Sequence, residues 1–269
     1  MDLVELVQTP EFDRGFRNFL RFLKTYFRVE IQGLENLPGR GRKGVICPNH
    51  SGYAGTDAVL LADLIREHTG RKPRILAHRA FFDFSSRVKA ISERFGLQKA
   101  SIENGVNVQK RNHLLILFPE GEKGNFKPTL MRYRLQEFKT GFLRIAIESG
   151  APIIPTVIIG AEESHLNLGN VSLGKIAKGL RIPLPLTLLP LPAKWKIRFL
   201  PPIDTSQIDP ALLRDQERLR LLAKKIRRQL QRAIHEELRG REYVYARETR
   251  RVVDKLEYLL RSKTRRSSR

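Results

Sequence analysis

The sequence predicts an α/β protein, with a mostly parallel central sheet flanked by helices, an N-terminal amphipathic helix and a C-terminal basic helical extension. Three observations carry this. Apolar runs alternate with helical patterns along the chain. Three of the runs, within GVICPNH (44–50), HLLILFPEG (113–121) and APIIPTVIIG (151–160), are continuously apolar, as strands buried on both faces are. Two of them stop at polar turns, Pro48-Asn49-His50 and Pro119-Glu120-Gly121, and the carboxyl ends of strands are where such sheets hold ligands.

The elements follow in order. Residues 11–30 have helical periodicity, with Phe12, Phe16, Phe19, Leu20, Leu23, Tyr26 and Phe27 on one face. Arg14, Arg17, Arg21, Lys24 and Arg28 fall on the other. Such a helix either packs on a core or lies on a membrane with its arginines near lipid phosphates; both hold if part of the apolar face meets each. RVEIQGLENLP alternates like a strand that ends in a turn. TDAVLLADLIREHTG (56–70) reads as a helix capped by Thr56 and closed by Gly70. PRILAHRAFF begins as a strand, and FDFSSRVKAISERFG is helical. EFKTGFLRIAIESG (137–150) is a helix ending at Gly150. Pro155 interrupts the third buried strand, KWKIRFLPPI (194–203) alternates as an edge strand, and a long basic helix runs from Pro210 to Leu238. Beyond it Val252, Val253, Leu256, Leu259 and Leu260 form a helical stripe before a basic run expected to be disordered. This divides the chain into an N-terminal helix (1–30), a central domain (31–205) and a C-terminal extension (206–269).

Composition narrows the function. A chain of 269 residues with 41% hydrophobic residues and 14 Phe can bury a sizeable core. A single cysteine excludes an internal disulfide framework and points to a reducing compartment. Cys47 reads as a small buried residue. The net charge of +22 draws the chain to polyanions: nucleic acid, an anionic membrane or phosphorylated substrates. The aromatics are not interleaved with basic residues in a stacking platform and no nucleic-acid motif occurs, so nucleic acid is not the expected partner. The first 16 residues carry acids where a signal peptide has bases, and no stretch suits a spanning helix. IPLPLTLLPLP (182–192) is short and broken by four prolines. The expected location is therefore the cytoplasmic face of a membrane, as a peripheral or monotopic protein, with the question of whether 176–193 dips into the bilayer left open.

For chemistry, His50 and Asp57 stand first. A neutral imidazole accepts a hydroxyl proton near neutral pH, and a carboxylate on its other nitrogen fixes the tautomer. Gly52 and Gly55 let the loop between them fold tightly. The alternative is a turn-capping histidine and a helix-capping aspartate. In FPEGEKGNFKP, Glu120 and Gly121 can shape a pocket, and Lys123 and Lys127 can receive a phosphate. The histidines have no compact metal-ligand spacing, so no metal is expected. No nucleophile elbow, phosphate loop or dinucleotide fingerprint is present.

PNHSGYAGTD, LFPEGEKGNFKP, EFKTGFLRIAIESGAPIIPTVIIGAEE and LPAKWKIRFLPPID occur in the order seen in the glycerolipid acyltransferases, the lysophosphatidic-acid-acyltransferase-like superfamily, which residues 25–205 resemble. The resemblance implies that His50 deprotonates an acceptor hydroxyl and that Asp57 orients it. The donor it implies is an acyl-coenzyme A or acyl-carrier-protein thioester, with no cofactor. It places Asn49, Glu120, Gly121 and Lys123 at the acceptor site, and Pro155 near the acyl site. The departures are informative. The family spaces His and Asp by four residues, so Gly55 stands at the usual aspartate position and six residues separate His50 from Asp57. That longer spacing is similar to the diacylglycerol-acyltransferase-like branch, whose acceptors are neutral. The arginine motif usual before FPEG is missing, and in KASIENGVNVQKRN Lys110 and Arg111 are the cations that can replace it.

Overall fold

The computed structural model describes residues 2–50, 55–83, 85–125, 127–172, 181–185, 189–241, 244–245, 250 and 253–254. The terminal basic run, most of the 252–260 stripe and much of 176–193 lie outside the described residues. In chain order the elements are α1 (Leu3–Leu6), α2 (Pro10–Tyr26), β1 (Glu30–Gln32), β2 (Gly44–Pro48), α3 (Thr56–Thr69), β3 (Arg74–Ala77), α4 (Ala80–Asp83), α5 (Ser86–Arg94) and β4 (Leu97–Lys99). Then come α6 (Ile102–Lys110), β5 (Leu114–Ile116), α7 (Glu122–Asn125), α8 (Gly141–Ser149), β6 (Ile153–Ile159), α9 (Ala161–Ser164), β7 (Asn167–Ser172), β8 (Arg181–Pro185), β9 (Lys196–Phe199) and α10 (Gln216–Arg239).

Seven strands form one sheet in the order β1-β9-β6-β2-β5-β3-β4. Strands β2 to β6 are parallel, while β9 runs antiparallel to β6 and parallel to β1. Pleating sends alternate residues to opposite faces. Val45, Cys47, Val157 and Ile159 meet α6, α8 and α10, whereas Ile46, Ile154 and Ile158 meet α2 and α3. Both faces are therefore covered, which is why these strands read as unbroken apolar runs. The pair β7–β8 is a separate antiparallel ribbon. No described helix is long and apolar enough to cross a membrane.

Several sequence expectations are corrected. Pro155 does not interrupt β6: it pairs in register with Cys47. Its carbonyl accepts from Leu200 N, so its missing N–H faces the place where β9 has ended. β9 is not an edge strand, since it lies between β1 and β6. Thr56 is not a cap; Gly55, at φ 76°, precedes the helix and Thr56 is its first residue. On α2 the buried stripe is Leu20 and Leu23, continued by Phe27, while Phe19 and Phe22 are exposed. Lys24 turns inward instead of outward, to Asp63 at 2.9 Å and Glu67 at 2.6 Å on α3. The basic helix begins at Gln216, after a 3-10 turn over Pro210–Arg214, because Asp215 breaks the run and caps it through Arg218 N.

Candidate functional site

The site lies where β2 and β5 end side by side. After Pro48 the chain leaves the sheet, and Asn49 pins that exit. Its amide donates to Ile158 O at 2.9 Å, and its carbonyl oxygen accepts from Ile158 N at 2.7 Å. Asn49 is fully buried, so its amide serves the join between β2 and β6. The next residue, His50, is thereby held in place. Its Nδ1 lies 2.8 Å from Asp57 Oδ2. Asp57 is fully buried in the first turn of α3, and its Oδ1 accepts from Ala58 N at 2.8 Å. The left-handed turn at Gly55 brings the chain into α3 so that a carboxylate two residues later still meets the imidazole. A carboxylate only accepts, so Nδ1 is the protonated nitrogen and Nε2 is the one left to accept. The ring stacks on Phe118, with centroids 4.0 Å apart.

Glu120 ties the second turn to the first. Fully buried, it accepts from His50 N through Oε1 at 3.0 Å and from Gln136 N through Oε2 at 2.7 Å. A side chain at position 124 would stand 2.6 Å from the Glu120 Cβ, which is why glycine is required there. Behind Glu120, Lys127 Nζ lies 3.5 Å from Glu120 Oε2 and 3.0 Å from Glu162 Oε1. Burial disfavours the charge on Lys127, but the carboxylates of Glu162 and Glu120 outweigh it and hold the pKa above that of an ordinary lysine. Burial pushes Glu162 up to about 7 despite Lys127. Glu162 also accepts from Tyr133 N at 2.9 Å, and the Tyr133 hydroxyl donates to Glu163 at 2.6 Å. Both oxygens of Glu163 accept from Nη1 of Arg241, which follows α10 and whose Nη2 donates to Lys194 O. Burial acts most strongly on the Arg241 guanidinium and lowers its pKa, but Glu163 and Tyr133 together hold it above that of an ordinary arginine. His165, buried nearby, is pushed down to about 4 by burial, with Asp57 opposing the shift.

The structure brings together His50, Asp57, Glu120, Gly121 and Lys127. Gly121, at φ 59°, has the Lys139 ammonium against it: a Cβ there would stand 3.1 Å from Lys139 Nζ. Lys123, in the following turn, is exposed. Pro155 is buried within β6. Lys110 and Arg111 are placed elsewhere. They precede β5, and β5 runs parallel to β2 with Leu114 opposite Gly44, so both sit at the amino end of the sheet. Six residues of strand rise put that level roughly 20 Å from His50. Arg111 there joins Arg74 and Arg71 around His113, whose pKa burial lowers first and these cations lower further. They cannot replace the missing arginines. Sequence reasoning passed over Lys139, Phe118, the Glu162–Tyr133–Glu163 chain and the His78–Glu122 pair at 2.7 Å. Phe118, Glu122, Lys139, Glu162 and Glu163 all lay inside motifs singled out, but their partners, such as Tyr133 and His78, come from other segments, and only contacts in the fold join them. Among the described residues no group of three or more His, Cys, Asp or Glu could hold a metal ion.

Comparison with known proteins gives concordant findings. A family model described as Acyltransferase matches residues 28–159. An uncharacterized protein of Mycobacterium leprae is 32% identical over 252 residues, covering 88% of this chain and 68% of that protein. A 1-acyl-sn-glycerol-3-phosphate acyltransferase of Limnanthes alba is 31% identical over 191 residues, covering 66% of this chain and 55% of its own length. Among solved structures, the 1-acyl-sn-glycerophosphate acyltransferase PlsC of Thermotoga maritima superposes with a TM-score of 0.52 at 17% identity, covering 89% of this chain and 88% of its own. That likeness is one of fold.

Proposed function

The chain belongs to the acyltransferase family and is an acyltransferase enzyme, and on that footing we propose that it works at a membrane surface, moving a fatty acyl group from a thioester to the hydroxyl of a phosphate-bearing glycerolipid such as lysophosphatidic acid. The observation that carries this reading is the 2.8 Å contact between His50 Nδ1 and the buried Asp57 carboxylate, beside Glu120. His50 Nε2 takes the proton of the acceptor hydroxyl. The oxygen attacks the thioester carbonyl, an ester C–O bond forms and the C–S bond breaks. The departing thiolate takes the proton from the imidazolium, so His50 ends neutral. Asp57 steadies the imidazolium between those two transfers. Glu120 holds His50 through its backbone N–H, with Lys127 Nζ 3.5 Å behind it.

The acceptor phosphate is assigned to Lys123 and to Lys139, which lies over Gly121. Membrane association is supported by Leu3, Leu6, Phe19 and Phe22, all exposed, with Arg14, Arg17 and Arg21 among them. A neutral mono- or diacylglycerol acceptor is the rival reading, and an inactive lipid binder a further one. The test is turnover of radiolabelled palmitoyl-coenzyme A by the purified protein with lysophosphatidic acid, monoacylglycerol or diacylglycerol in mixed micelles. The expected product is phosphatidic acid. Labelled neutral lipid alone would reassign the acceptor, and no ester with any acceptor would leave a binder.

A further inference from the structure

The long helix α10 carries a cationic ridge that its place in the fold does not require. One side of it, Leu219, Ala223, Ile226, Leu230, Ala233 and Ile234, is buried in the core. On the outer side Arg220, Lys224, Arg228 and Arg232 follow at every fourth residue, with Lys225 beside them, and all five are exposed. At 1.5 Å per residue the row is about 18 Å long. Among the described residues none of the five pairs with a carboxylate, whereas Arg218 pairs with Asp215, and Lys196 and Arg198 with Glu237. Like charges four residues apart repel one another along a helix, so the row weakens α10 unless an anionic surface covers it. Leu221, 58% exposed, lies among these cations.

Two observations indicate what covers it. The ridge and the apolar patch on α2 sit on opposite layers, since α10 packs on one face of the sheet and α2 on the other. Two helices and a sheet between them separate those outer surfaces by roughly 30 Å. That is several times the Debye length of about 8 Å, so a flat bilayer engaged by α2 does not reach the ridge. The carboxyl-terminal half of α10 also borders the catalytic turn. Arg227 donates to Leu135 O at 3.0 Å, and Gln231 bridges Tyr133 O at 2.7 Å and Leu135 N at 2.8 Å. The next residue, Gln136, donates to Glu120.

We propose that this ridge docks an acidic protein that carries the acyl group as a thioester on a flexible arm, seating the donor one loop away from His50. The proposal rests on the acyltransferase reading and adds the identity of the donor's carrier. The test compares palmitoyl-acyl carrier protein with palmitoyl-coenzyme A as donors for the full chain and for K224E/R228E/R232E. Charge reversal is expected to raise KM for the protein-borne donor about tenfold or more, while kcat/KM for palmitoyl-coenzyme A stays within about twofold. The milder K224Q/R228Q/R232Q variant should fall between, and raising salt should abolish the difference among the three. Unchanged kinetics with the protein-borne donor would overturn the proposal. So would equal losses with both donors, or failure of the wild type to use the protein-borne donor while it uses palmitoyl-coenzyme A. Loss of pelleting with phosphatidylglycerol vesicles alone would reassign the ridge to lipid. Failure of the wild type with both donors would instead sink the acyltransfer reading on which the proposal rests.

Discussion

Asp57→Asn is the substitution from which the geometry predicts most. The carboxylate is fully buried and both oxygens are engaged, Oδ1 with Ala58 N and Oδ2 with His50 Nδ1. Asparagine keeps the shape, and its oxygen can still accept from Ala58. Its NH2 then occupies the place of Oδ2 and points a donor at Nδ1. The imidazole answers by moving its proton to Nε2, the nitrogen that must accept from the substrate hydroxyl. Two contributions are lost at once, the correct tautomer and the charge that steadies the imidazolium. Where a buried aspartate orients a catalytic histidine, that change lowers kcat by about 10⁴-fold, or roughly 5.5 kcal/mol of barrier. The assay is ester formation from labelled palmitoyl-coenzyme A, with thermal unfolding as the control for folding. A loss below about tenfold in a folded variant would refute the orienting role.

Other expectations follow from the same contacts. Glu120→Gln sets an NH2 against one of two backbone N–H donors that the carboxylate accepts, and should cost about 2–4 kcal/mol in denaturant unfolding as well as activity. Gly124→Ala should lower kcat with a smaller stability loss, because its Cβ displaces Glu120. Arg241→Met leaves Glu163 buried without its cation and should destabilise by about 3–5 kcal/mol, read as a fall in Tm. Glu162 has a folded pKa of about 7 against 4.5 unfolded, so the folded state binds the extra proton between those values. Its contribution to stability is therefore present below about pH 4.5 and lost as pH rises through 7. The stability of wild type relative to Glu162→Gln should fall across that window; a flat difference would contradict the burial of that carboxyl.

The parallel layers were legible because each buried strand writes itself as an apolar run ending in a polar turn, and the two turns at Asn49 and Glu120 marked one end of the sheet. Pairing was less so. KWKIRF alternates like an edge, yet β1 covers its outer side, and nothing local distinguishes an edge from a strand with one short neighbour. The same limit explains Lys110 and Arg111. Chain order put them before FPEG, but β5 carries the chain from one end of the sheet to the other between them and Glu120. The extra length between His50 and Asp57 left the carboxylate's position open in the sequence. The left-handed Gly55 closes it, although nothing in the residues alone requires that conformation. The charged chain from Glu120 to Arg241 joins segments more than 100 residues apart, and burial alone makes it necessary to pair them.

The central claim is that His50 is the base of an acyl transfer, and His50→Ala assayed with labelled palmitoyl-coenzyme A and lysophosphatidic acid tests it most directly. The wild type should form phosphatidic acid, and the folded variant should lose essentially all of that turnover, with acceptor binding retained. Turnover in His50→Ala comparable to wild type would contradict the account.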